Sequence, residues 1–399
     1  MLAHDELPDT VDVAIVGGGI MGTSSCFFLS EKTDLTVLLV EKNSIANGST
    51  GDSSAIIRHH YGPTEIYSKM ALWSHEFYRE FEARTGEPVA YEPSPLLRLG
   101  IEGDSSGEYA MDGYETLSSL DIPVSRLERE ALVEEYPMLS PLESDFGVSD
   151  ETAAYSDAAD AAAGFSRAAQ NRGAIVRTGV TVADIGVDDG EVTEIQTDHG
   201  TVETDTLIVT AGPWTAQLME TVDVDIPLTH SREQILLLEP PEEFLDTYPE
   251  GMPTTSPPGA DWYVREDFGD GILIATHHSA NDPDPNTYRK KPDEEVKLRL
   301  IDELADFCPE LEDAKLRGQY CGIYSNTPDY DFVIDQVGPD GCYVGCGFSG
   351  HGFKHGPAVG RIVSDLVRDG HTDLVDAQYF SLDRFKGDGK GHGNPEESA

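Results

Sequence analysis

The run Asp12-Val-Ala-Ile-Val-Gly17-Gly18-Gly19-Ile-Met-Gly22 constrains this chain more than any other stretch. Val13 to Val16 is a short continuous apolar run, the pattern of a strand buried on both faces. It enters Gly17-x-Gly19-x-x-Gly22, and a helical run, Thr23 to Ser30, follows. Leu35 to Val40 reads as a second buried strand, ending at Glu41. That order is βαβ with a dinucleotide fingerprint in its first turn. Gly17 makes the tight turn, Gly19 lets backbone approach a pyrophosphate, and Gly22 lets the helix pack closely on the strand. The helix start offers N–H groups and partial positive charge to phosphates. Glu41 stands where a carboxylate accepts from a ribose diol and repels a 2′-phosphate, which argues against NADP. FAD and NAD both remain open at this point.

The formal net charge of this 399-residue chain is −47, from 74 acidic and 27 basic residues spread along its length. Because the acid accompanies clear apolar periodicity, the expectation is a folded protein with a surface suited to high salt, where screening removes self-repulsion. The charge pattern predicts a cytoplasmic protein of a salt-accumulating halophile, with neither nucleic acid nor anionic membrane as partner. Neither a signal peptide nor an apolar window of membrane-spanning length is expected. The five cysteines are sparse and odd in number, which argues against a disulfide framework. Cys342-x-x-x-Cys346 has no second ligand pair, so both thiols are expected in a strand core and no metal is anticipated.

After residues 1–10, read as a mobile arm, and the βαβ unit comes Asn47-Gly-Ser-Thr-Gly-Asp-Ser-Ser54. This loop of small polar residues suits a pyrophosphate path. Ala55 to Arg58 is strand-like and ends on a cation in apolar context. Ile66 to Arg84 carries a helical stripe at Met70, Trp73, Phe77 and Phe81. Strand-like residues appear at 92–99, turn and helix at 122–136, and an Ala-rich helix at 153–170. Short strands at 175–177 and 180–182 precede a hairpin, 192–197 with 200–203. Thr206 to Trp214 is a buried strand ending in Ala211-Gly212-Pro213, where backbone can lie against a cofactor. Strands at 226–240, 262–264 and 271–276 suggest a separate antiparallel sheet, covered by a helix near 293–307. Residues 332–335 and 342–345 read as a hairpin.

Gly345-Cys-Gly-Phe-Ser-Gly-His-Gly-Phe-Lys354 is the second informative stretch. It leaves a strand and enters a helix with Pro357 near its start and Gly370 at its end. Its glycines let backbone lie flat on a planar ligand, and the helix start stabilises a ligand that becomes anionic.

Together these motifs resemble the FAD-dependent amino-acid oxidoreductases of the D-amino-acid oxidase (DAO) family, most of all the sarcosine oxidase and dimethylglycine dehydrogenase branch. The resemblance runs from about residue 11 to 385. It is carried by the first Gly motif with Glu41, by Ser49 to Arg58, Val209 to Pro213, Gly322 to Asp329, and Gly347 to Lys354. It implies FAD, and an α/β fold in which a Rossmann-like FAD/NAD(P)-binding domain is interleaved with an α+β substrate domain built on an antiparallel sheet. The division expected is 1–90, 145–220 and 322–385 for FAD, 91–144 and 221–321 for substrate, and a disordered tail at 386–399. Cofactor contacts are expected at Gly17, Gly19, Ile20, Met21, Gly22, Glu41, Lys42, Ser49, Thr50, Gly51, Val180, Ala211 and Gly212. They continue at Gly347, Phe348, Ser349, Gly350, His351, Gly352 and Lys354.

The resemblance further implies that Arg58 and Lys354 hold a substrate carboxylate, aiming one C–H at flavin N5. Hydride transfer there would give an imine that hydrolyses. His277, His278, His351 and Tyr263 are candidates for tuning the substrate amine. The position of the flavin-linking cysteine of monomeric sarcosine oxidases falls on Gly322, with Cys321 one residue off, so non-covalent FAD is expected. The oxygen-activating lysine of those enzymes falls on Leu273, which favours a dehydrogenase or a subunit passing electrons to a partner. The substrate expected is a small N-alkylated, sarcosine-like amino acid. Glycine, a D-amino acid or a 2-hydroxy acid stay open, as does a flavin-containing assembly factor for a respiratory complex.

Overall fold

The computed structural model describes residues 6–139, 143–249, 251–277, 279–280, 283–386 and 391–392. His278, the first five residues and most of the tail lie outside them. Four sheets organise the chain. The first has six strands in the order Val333–Gln336, Cys342–Cys346, Thr206–Val209, Val13–Val16, Val37–Glu41, Ile175–Thr178. All neighbours in it are parallel except the first pair, which forms the anticipated hairpin. Val13 to Val16 are all buried because strands flank them on both edges and helices cover the faces.

Two helices start at the carboxyl edge of this sheet. Ile20–Lys32 leaves the first strand, and Gly352–Asp369 leaves Cys342–Cys346 by way of the second glycine turn. They pack against each other so tightly that a Cβ on Gly360 would sit 2.4 Å from Ser24 Oγ. Ser24 Oγ donates a hydrogen bond to the Gly356 carbonyl at 2.9 Å. Both glycine-rich turns are thereby held side by side. Behind them Phe27, Phe77, Phe81 and Phe165 form an aromatic core, which accounts for the stripe read from Ile66 to Arg84; that run is two helices, Glu65–Arg79 and Phe81–Thr85.

The second main sheet has nine strands and is chiefly antiparallel. Thr229–Glu239 is its longest shared edge, paired with Lys315–Asn326 on one side and Gly271–Thr276 on the other. The helix Glu294–Phe307 covers one face through Leu300, Leu304 and Phe307. Strand pairing crosses two of the anticipated domain limits: Phe146–Asp150 and all of Lys315–Asn326 belong to this sheet.

Local readings differ in several places, among them the turn read at the start of 122–136, which is the strand Val124–Glu128. Ala154–Ser156 is a strand, and the Ala-rich helix begins only at Ala158, where Asp157 caps the Asp160 N–H at 2.8 Å. The strand expected at 180–182 begins at Val182. The helix Ser105–Ser119 was not foreseen, since Tyr109, Ala110, Gly113 and Leu117 make a weak apolar stripe; Asp104 caps it at Gly107.

One buried cluster fixes the segment that carries Arg58. The Asp150 carboxylate accepts from the His59 backbone N–H at 2.7 Å and lies 3.0 Å from His59 Nδ1. His59 Nε2 continues to His75 Nδ1 at 3.0 Å. Burial pushes the Asp150 carboxyl up, but the His59 charge and hydrogen bonds outweigh it and hold its pKa below the usual value. A depressed carboxyl stabilises the fold above its unfolded pKa of about 4, and that contribution is lost as pH falls through the folded value. Asp150→Asn is expected to cost about 3 kcal/mol at neutral pH and to flatten the acid limb of stability. Denaturant melts from neutral to acid pH check this; an unchanged midpoint at neutral pH contradicts it.

Candidate active site

The glycine turns meet over a cavity of about 600 Å³, within the range of cofactor sites. Its wall includes Gly17, Gly19, Ile20, Met21, Glu41, Lys42, Ser49, Thr50 and Val180. Ala211, Gly212, Gly347, Phe348, Ser349, Gly350 and Gly352 complete the anticipated set that lines it. Gly17 has φ +113° and a Cβ there would be 2.4 Å from the Thr210 carbonyl oxygen, so the turn needs glycine on both counts. Gly22 and Gly51 stand behind the wall instead. A Cβ on Gly22 would lie 2.0 Å from the Gly17 carbonyl oxygen, and one on Gly51 2.3 Å from that of Ala46. Gly51 thus shapes the loop and is not itself part of the wall.

Local hydrogen bonds refine the expected phosphate and ribose contacts. The Ile20 N–H donates to Thr50 Oγ1 at 3.1 Å, so one N–H of the helix start is already engaged. Glu41 accepts from Gly18 N at 2.7 Å and from Asn43 N at 2.8 Å, one bond per oxygen, which leaves each oxygen capacity for a hydroxyl donor. Val180 reaches the wall by donating its N–H to the Glu41 carbonyl at 3.0 Å. Lys42 stacks over Trp214 with Nζ 3.1 Å from the ring centroid. Burial lowers the Lys42 pKa, and Glu41 offsets part of that.

A second cavity of about 440 Å³ adjoins the first. The two share Ser53, Ser54, Tyr324, Ser349, Gly350 and Phe353. Arg58, Lys354, His351, His277 and Tyr263 all line the second one. Hence these five side chains singled out for substrate chemistry converge, though they come from four separate stretches. His351 and Lys354 belong to this wall and not to that of the larger cavity.

Arg58 and Lys354 are each only 6% exposed, which is unusual for two cations. Arg58 stacks over the Tyr61 ring at 4.2 Å and donates through Nη1 to the His60 carbonyl. Its Nη2 lies 3.3 Å from His351 Nδ1. A guanidinium only donates, so Nδ1 accepts there, which puts the His351 proton on Nε2. Tyr61 is tied in turn to His355 Nε2 at 2.9 Å. His355 is driven well below the ordinary imidazole pKa by burial and by Lys354, so it is neutral and adds no third positive charge.

Sequence reasoning missed Glu233. It is 1% exposed, lines the larger cavity, and accepts hydrogen bonds from the hydroxyls of Tyr263 and Tyr324. Burial raises its pKa to about 7, against the pull of the two phenols. A signal existed: in Ser231-Arg-Glu-Gln-Ile235 the glutamate shares the inward phase with Ser231 and Ile235, both buried. Gly322 faces Asp52 and Glu233, whereas Cys321 Sγ lies 3.3 Å from Arg232 Nη2, on the other face of the strand. Leu273 is buried with Ile235, Tyr263 and Ala275. Among the described residues no group of three His, Cys, Asp or Glu side chains is placed to hold a metal ion, and no helix is long and apolar enough to cross a membrane.

A cavity lined by two glycine turns, beside a cation-bearing pocket, defines a class that comparison with known proteins makes specific. The chain belongs to the DAO family of FAD-dependent oxidoreductases, whose pattern matches residues 12–366. It is 29% identical over 385 residues to a monomeric sarcosine oxidase of Bacillus sp. (strain B-0618), covering 94% of this chain and 96% of that protein. It is 26% identical to the human peroxisomal sarcosine oxidase, covering 96% and 98%. Its fold is similar to that of L-proline dehydrogenase from P. horikoshii, with a TM-score of 0.86, 22% identity and coverage of 95% and 99%. Glycine oxidase from Geobacillus kaustophilus is similar at a TM-score of 0.82, 22% identity and coverage of 95% and 100%. The mixed α/β architecture, the enzyme class and FAD as cofactor, all anticipated from sequence, hold. The larger cavity fits FAD on its own evidence: buried Ser49 Oγ and Ser325 Oγ line it without a protein partner, and Gly17 leaves no room for a side chain.

Proposed function

We propose that the chain oxidises the C–N bond of a small N-alkylated amino acid. The observation that carries this reading is the pair of buried cations, Arg58 and Lys354, in a pocket sharing a wall with the dinucleotide cavity. Bound FAD would supply the two-electron acceptor. The cavity-lining set from Gly17 to Glu41, with Ser49, Thr50, Val180, Ala211 and the turn Gly347–Gly352, would hold it; the position of Cys321 against Arg232 supports non-covalent attachment.

Arg58 presents a planar fork to a carboxylate, and Lys354 adds a point charge. His351 accepts from Arg58 and so helps fix the fork's angle. Two cations against one carboxylate leave the other end of the substrate toward Tyr263, Tyr324 and His277. The buried Tyr263 helps exclude water from the amine, which must lose a proton before its lone pair can assist C–H cleavage. A small substrate suits the pocket, and the names of the relatives, which include sarcosine, proline and glycine enzymes, support an amino acid. We further infer that the six-stranded sheet belongs to an FAD-binding domain and the nine-stranded sheet to a substrate domain.

Leu273, an apolar side chain where the resemblance directs attention to a lysine, favours an electron acceptor other than oxygen. The test is a substrate panel followed by air. Sarcosine, N-methylalanine and proline are expected to reduce the flavin at least ~10-fold faster than glycine or D-alanine, a pocket preference of about 1–3 kcal/mol. Colour is expected to return slowly in air and quickly with an artificial electron acceptor. Faster reduction by glycine or a 2-hydroxy acid would reassign the substrate, and fast recovery in air would make the protein an oxidase.

A further inference from the structure

The proposed clamp leaves the substrate's other charge, its ammonium, without an assigned partner, and a buried carboxyl lies close by. Glu233 projects from the strand Thr229–Glu239. Tyr263 and Arg265 approach it from the strand Trp262–Asp267, and Tyr320 and Tyr324 from Lys315–Asn326. Lys354 faces it from the helix Gly352–Asp369, and Asp52 stands across Gly322 from it. Its two direct donors are the phenols of Tyr263 and Tyr324. Glu233 lines the larger cavity, Tyr263 the smaller, and Tyr324 both. Ser54 Oγ, 2.7 Å from the Tyr263 hydroxyl, is also shared by both walls. The phenols thus bridge the carboxyl to the substrate pocket.

We propose that Glu233 is the positioning residue that receives the ammonium proton of the substrate, relayed through the hydroxyls of Tyr263 and Tyr324. This rests on the amino-acid reading above. The substrate N–H bond breaks and its proton passes to a phenol oxygen, while that phenol's own proton passes to a Glu233 oxygen. The nitrogen regains its lone pair, no protein group is oxidised or reduced, and Glu233 later returns the proton to solvent. A carboxyl titrating at about 7 suits the task, because it is ionised enough to accept and acidic enough to release near neutral pH.

The test compares the wild type with Glu233→Gln as FAD-loaded proteins. In the wild type, the rate of anaerobic flavin reduction by sarcosine rises with pH through about 7, as Glu233 ionises. In Glu233→Gln the limb moves toward the pKa of a free alkylammonium, about 10, and the neutral-pH rate falls about 10²-fold. N-(Cyanomethyl)glycine, whose amine is far less basic, should lose less than about tenfold in the variant. Furoate, a carboxylate with no amine, should bind both proteins equally, as read by its perturbation of the flavin spectrum. An unmoved pH limb, or equal losses with the two amines, overturns the proposal while leaving the function standing. Failure of the wild type to react with any amine overturns the function itself. If Glu233→Gln loses furoate binding, Tyr263→Phe decides: removing a donor that lowers the Glu233 pKa must shift the wild-type limb upward, and an unmoved limb counts against the relay.

Discussion

Arg58→Ala is expected to weaken substrate binding and kcat/KM about 10²–10³-fold, the effect of losing charge-assisted hydrogen bonds to a buried carboxylate. Lys354 would remain but cannot reproduce a fork, so Arg58→Lys should recover only part of the loss. Arg58 also braces the loop by donating to the His60 carbonyl and stacking on Tyr61. For that reason the thermal melt must accompany the kinetics. The account expects a modest melt shift with a large rise in the substrate concentration needed to bleach the flavin. Affinity within threefold of wild type would remove the clamp from the mechanism.

Gly22→Ala is expected to abolish tight flavin binding. The new Cβ would lie 2.0 Å from the Gly17 carbonyl oxygen and 2.7 Å from Thr210 Oγ1. Neither neighbour is a flexible tip, since one is backbone in the tight turn and Thr210 Oγ1 bonds the Val16 carbonyl at 3.2 Å. The helix must move off the strand, at a cost of about 3 kcal/mol, and the turn that shapes the cavity opens with it. The purified variant should be nearly colourless and melt lower. Gly318→Ala is the control, because its Cβ meets only Leu237 side-chain atoms at 3.4 Å and beyond. A yellow Gly22→Ala protein with normal stability would contradict the close-packing account.

The first βαβ unit was legible because it is local. An apolar strand, three spaced glycines and an acid at the next strand's end fall within thirty residues, and each glycine's requirement follows from backbone geometry. The second turn, Gly345 to Lys354, was legible for the same reason. The convergence of Arg58, Tyr263, His277 and Lys354 was not, since it depends on how two sheets pack, and only the resemblance pointed to it. Glu233 escaped because a lone acid in a strand is usually solvent-facing; here its face of the strand is covered by Tyr263, Tyr320 and Tyr324, which come from distant stretches. The helix Ser105–Ser119 escaped for want of large apolar residues, and Ala154–Ser156 because alanine favours helix until a neighbouring strand pairs with it.

The most direct measurement is an anaerobic titration of the purified yellow protein, in concentrated KCl, with sarcosine. The account predicts loss of the oxidised-flavin absorbance to completion, blocked competitively by furoate. A flavin that stays oxidised with sarcosine and with every other N-alkylated amino acid would contradict the central claim.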